Sequence, residues 1–69
     1  MRTYNNQDIV IVFNRGIQLN DVLYIWTKLN SSSKSFLMSK LMSKLGNEVN
    51  YHYMQMIMLL MLDLHFHAA

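Results

Sequence analysis

The chain has no cysteine, which excludes disulfides as a source of stability and removes the ligands of the commonest structural zinc sites. Its only acidic residues are Asp8, Asp21, Glu48 and Asp63. No two of them form a close pair, so paired-carboxylate acid–base chemistry has no footing. The two glycines, Gly16 and Gly46, stand alone and cannot build a phosphate-cradling loop. Many serines are present, but none lies in a local pattern that marks a nucleophile. Charged residues make up 14% of the 69 positions, against roughly 25% in typical soluble domains. A chain of this length also lacks the volume to hold a core and a deep pocket together. These absences point away from an enzyme, and no catalytic residue, metal or cofactor is expected.

What is present is apolar surface, at 52% of residues, with a formal net charge of +2 and a pI near 9.2. That composition argues against disorder, and the basic bias permits contact with nucleic acid or acidic lipid without demanding it. The core of so small a domain rarely supplies more than about 3–5 kcal/mol. Without disulfides or metal, self-association or a partner protein is the favoured source of the remainder. The first apolar run stops at Asn14 and Arg15, too short for an export signal. The absence of cysteine fits a cytoplasmic protein. Asn30-Ser31-Ser32 matches a glycosylation pattern that such a protein does not use.

One domain spanning residues 1–69 is expected, mainly α, with three helices and frayed ends at 1–8 and 67–69. Ile9, Val10, Ile11, Val12 and Phe13 form a β-branched and aromatic run between Asp8 and the Asn14-Arg15-Gly16 turn signal, which predicts one short N-terminal strand able to pair across a dimer. Asn20 is placed to cap a helix over 20–30, with Asp21 in its first turn and Leu19 able to staple to Tyr24. Val22, Leu23, Trp26 and Leu29 give that helix an apolar stripe. Asn30, Ser31, Ser32 and Ser33 can close it and cap the next.

The second helix, over 33–45, contains Met-Ser-Lys-Leu twice in tandem. Leu37, Met38, Leu41, Met42 and Leu45 cover one arc, and Ser39, Lys40, Ser43 and Lys44 the opposite one. Gly46 supplies a left-handed stop. The third helix, over about 50–65, is apolar nearly all round, from Tyr51 and Tyr53 through Met54, Met56, Ile57, Met58, Leu59, Leu60, Met61, Leu62 and Leu64. Such a helix must be buried on more than one side. Gln55, Asp63 and the flanking histidines make it a poor membrane span. Two short helices cannot cover it, which predicts an oligomer or an apolar partner.

Met54, Met58, Met61 and His65 recur at helical spacing, a stripe of soft atoms that could hold Cu(I). The same stripe reads more simply as adaptable methionine packing. Asp63 and His67 are four apart and could orient one another, but His52 lies roughly 22 Å along the helix from His67 and supplies no third ligand. His52 reads as a half-buried neighbour of Tyr51 and Tyr53.

Strand 9–13, helix 20–30 and helix 33–45 together resemble the layout of ribbon-helix-helix repressors in order and length. That resemblance implies duplex DNA as partner, with Arg15, Lys34, Lys40 and Lys44 on phosphates. The run at 9–13 is apolar on both faces, where such ribbons carry polar side chains to the bases. A membrane-surface role for the basic second helix ranks third, since the third helix shows no clear polar face. The leading expectation is a small non-enzymatic interaction and regulatory module. It self-associates and binds an unidentified partner protein through an apolar, Met-rich helical surface carried by Tyr24, Trp26, Met54, Met58 and Met61. Trp26, Leu37, Leu41, Leu45, Ile57, Leu60 and Leu64 are expected in the core or interface.

Overall fold

The computed structural model describes residues 4–47 and 50–67, and they form a small all-helical domain. Four helices succeed one another: α1 (Asn6–Asn14), α2 (Leu19–Trp26), α3 (Ser31–Asn47) and α4 (Tyr51–His67). The three-helix expectation is thus corrected to four, and no strand occurs among the described residues.

The run at 9–13 is helical because its start is capped and its burial follows the helical period. Asn5 Oδ1 accepts from the backbone N–H of Gln7 at 2.9 Å and of Asp8 at 3.3 Å, while Asp8 Oδ2 accepts from the Asn5 N–H at 2.9 Å. This reciprocal capping box satisfies donors that a free helix end would leave open. Residues 5–8, expected in a frayed start, therefore build the first turn. Ile9 is fully buried, with Val12 and Phe13 partly buried beside it, whereas Val10 and Ile11 face outward. Spacing of three and four, not two, decides the burial. The helix-propensity cost of β-branched residues, at most about 0.7 kcal/mol each, is smaller than the roughly 1.5–3 kcal/mol from burying one isoleucine. Loss of the strand also removes the ribbon on which the repressor-like layout depends.

After α1 the backbone turns at Gly16, whose φ of +86° only glycine adopts without strain. This places Ile17 in the core. The cap of α2 is Gln18, which makes no side-chain capping bond, and Asn20 already lies inside the helix. The Asn20 cap and the Leu19 staple are therefore corrected: Asp21 remains in the first turn, but one turn is already under way. Val22, Ile25 and Trp26 are buried and Leu23 is exposed, so the inward stripe is rotated from the expected one.

Asn30 caps the next helix, as expected of the 30–33 segment, but α2 ends at Trp26 and not at 30, and α3 begins at Ser31 and not at 33. Asn30 Oδ1 accepts from the Ser33 N–H at 2.9 Å and from the Ser32 hydroxyl at 3.0 Å, and its carbonyl accepts from the Lys34 N–H at 2.9 Å. α3 then points Leu37 and Leu41 into the core, with Met38 and Leu45 partly buried and Met42 exposed. Gly46 is not a stop: it lies inside α3, and the positive-φ glycine of the described residues is Gly16. α3 packs on both α1 and α4, and α2 packs on α4. No helix among the described residues is long and apolar enough to cross a membrane.

Candidate functional site

α4 has two apolar faces, as its sequence requires, and only one is covered. Met56, Ile57 and Leu60 are buried in the shared core, with Tyr53 packed at its margin. At about 100° per residue, Tyr51, Met54, Gln55, Met58, Leu59 and Leu62 fall on the opposite arc. These six line one shallow groove of about 400 Å³. Exposure reaches 79% at Tyr51, 60% at Met58 and 53% at Leu62, against 0% at Met56.

Two polar contacts lock the rotation of α4 and so determine which face looks out. At its start, His52 Nε2 donates to the Ile17 carbonyl at 2.9 Å, and Asn50 Oδ1 caps the helix through the His52 N–H at 2.9 Å. Near its end, the indole Nε1 of Trp26 donates to Asp63 Oδ2 at 2.6 Å. A hydrogen bond to a carboxylate is among the stronger kinds, and here it joins residues 37 positions apart. Neither contact is visible in the sequence. Its nearest signal is Asp63 itself, a lone carboxylate in an apolar stretch that needs a donor. His52 is half-buried and meets the edge of Tyr53 at 5.6 Å, as anticipated, but its bond to the α1–α2 connection adds a structural function.

The expected interface residues do not form one surface. Trp26 is buried, 3% exposed, and so is an internal anchor. Tyr24 is exposed but sits edge-on to Tyr4 at 6.2 Å, in a cleft lined by α1 and α2 that includes no residue of α4. Met54 and Met58 belong to the outer face of α4, with Met61 exposed at its flank. Leu64, expected in the core or interface, is 43% exposed and lines a different groove.

That second groove, about 530 Å³, runs between α2, α3 and α4 past Trp26, Ser35, Met38, Met42 and Leu64. Lys34 lies over the Trp26 ring at 5.2 Å. The remaining candidate phosphate contacts are dispersed. Lys40 lies 5.7 Å from the Phe13 ring and 5.4 Å from that of Phe36, and shares a cleft with Lys44. Arg15 lines another cleft, beside Asp8 and Asp21. Lys34, Lys40 and Lys44 are on α3, but the described arrangement does not gather all four cations at one place.

Among the described residues, no three His, Asp or Glu side chains converge in a way that could hold a metal. His65 is exposed, and the side chain of His67 lies outside the described residues. In comparisons with protein families, curated proteins and solved structures, the chain has no significant match to any of the three.

Proposed function

We propose that this chain is a small, non-enzymatic, cytoplasmic interaction protein that regulates by docking the outer face of α4 on a protein surface and occluding it. The observation that carries this reading is the contiguous apolar face from Tyr51 to Leu62, left open although the opposite face of the same helix is fully packed. Isolated exposed apolar residues need no explanation, whereas a continuous patch marks a site of contact. Methionines suit this use, because their unbranched, polarisable side chains re-pack against differing surfaces. A helix presenting anchors about one turn apart matches a common mode of helix-in-groove recognition.

The reading is tested by placing a photo-reactive side chain at Met58 of the full chain and irradiating expressing cells. Mass spectrometry of the adducts is expected to find peptide attached at position 58. Adducts to lipid alone, or to water alone, would contradict it.

A further inference from the structure

Resting on that reading of α4 as a docking face, we infer that its occupant is a second copy of this chain, with the two α4 helices antiparallel about a two-fold axis crossing between Met56 and Ile57. The argument begins with the spacing of the groove-lining residues. Reflection about position 56.5 exchanges Tyr51 with Leu62, Met54 with Leu59, and Gln55 with Met58, so every member of the groove acquires a partner that is also a member. This is the self-complementarity that a two-fold interface demands, residue i meeting j and j meeting i.

Charge agrees with the pairing. None of the six is acidic or basic, so two copies bring no like charges together, and an acidic or basic partner would find nothing to pair with. Asp63, the carboxylate of α4, is engaged by Trp26 instead. Near the axis the two Gln55 residues lie about 4.5 Å apart along the helices. Each amide carries both donor and acceptor and can bond its mate, a polar contact that fixes register.

Size agrees as well. With these exposures the six residues expose on the order of 600 Å² per copy, so a pair would hide at most roughly 1,200 Å², which reaches the lower limit of specific interfaces.

Because the chain has no cysteine of its own, introduced thiols report the geometry directly. Tyr51→Cys and Leu62→Cys chains, mixed and oxidised, are expected to cross-link to each other, while either alone stays uncross-linked because like positions lie about 16 Å apart along the axes. Light scattering on the unmodified chain should give about twice 8.2 kDa. Met58→Lys should halve that mass while circular dichroism stays helical, since the side chain is outside the core. Cross-linking of Tyr51→Cys with itself would overturn the antiparallel register. A monomeric mass with no cross-link would overturn the second copy as occupant. In that case, peptide from a different protein at the Met58 photo-adduct would leave the docking reading standing. A dimer indifferent to Met58→Lys would overturn the second copy as occupant of this face.

Discussion

Single side chains hold this domain in register. Trp26 is buried with its one polar atom bonded to Asp63, so Asp63→Ala should strand an indole N–H and lower stability by about 1–3 kcal/mol. Urea denaturation followed by Trp26 fluorescence reads this, since the chain has one tryptophan. Gly16 offers a purely conformational test. A Cβ there would meet nothing within 4 Å, but φ is +86°, so Gly16→Ala should cost about 1–2 kcal/mol through the backbone alone. Asn5→Ala should lose about 0.5–2 kcal/mol and speed amide exchange in the first turn of α1. The Asn30 cap was legible in the sequence because its partners are two to four residues away. The Trp26–Asp63 bond was not, because only the packing of α2 on α4 brings those residues together.

At the scale of the elements, legibility depended on length and on local capping. In α3 the repeated Met-Ser-Lys-Leu sets adjacent leucine and methionine at every fourth position, pairs that a strand would split between two faces and a helix keeps on one arc, and Leu37 and Leu41 are fully buried. The five-residue run at 9–13 has no such length. Its β-branched composition suggests a strand, and the deciding evidence is the pairing of Asn5 with Asp8 just before it. That capping pair is present in the sequence, but the strand expectation rests on composition and turn signals alone and leaves it unread. Gly46 misled in the opposite direction: glycine permits a left-handed stop, but nothing requires it to take one, and α3 continues through it. In α4 apolar residues occur all round, so the sequence assigns Ile57, Leu60 and Leu64 to core or interface without separating the two; Ile57 and Leu60 are buried and Leu64 is exposed. A paired substitution measures the asymmetry. Leu60→Ala should cost about 2–5 kcal/mol in the isolated chain, and Leu62→Ala, two residues on and facing outward, within about 0.5 kcal/mol. Chemical denaturation at low protein concentration, where association is minimal, provides the comparison.

Across the whole molecule, a small core coexists with a large uncovered apolar face. The radius of gyration is 11.5 Å, close to the ~11 Å expected for a folded chain of this length, so the exposure of α4 does not reflect loose packing. Among the described residues, no buried side-chain polar atom lacks a partner, and the core satisfies itself without the outer face. Coverage of that face by a second copy would add the stability that a 69-residue domain without disulfides is short of. It would also make stability rise with protein concentration. The charged alternative, binding to duplex, has lost its ribbon and finds its four cations distributed over three clefts.

The central claim, that α4 turns one face into its own core and offers the other to a partner chain, is tested most directly by peroxide oxidation of individual methionines, mapped by mass spectrometry over a range of protein concentrations. Met56 should stay protected throughout, Met42 should oxidise rapidly throughout, and Met58 should change from rapid to slow as concentration rises. Equal, concentration-independent rates at Met58 and Met42 would contradict coverage of the outer face by a second copy, and rapid oxidation of Met56 would contradict the fold from which that face is defined.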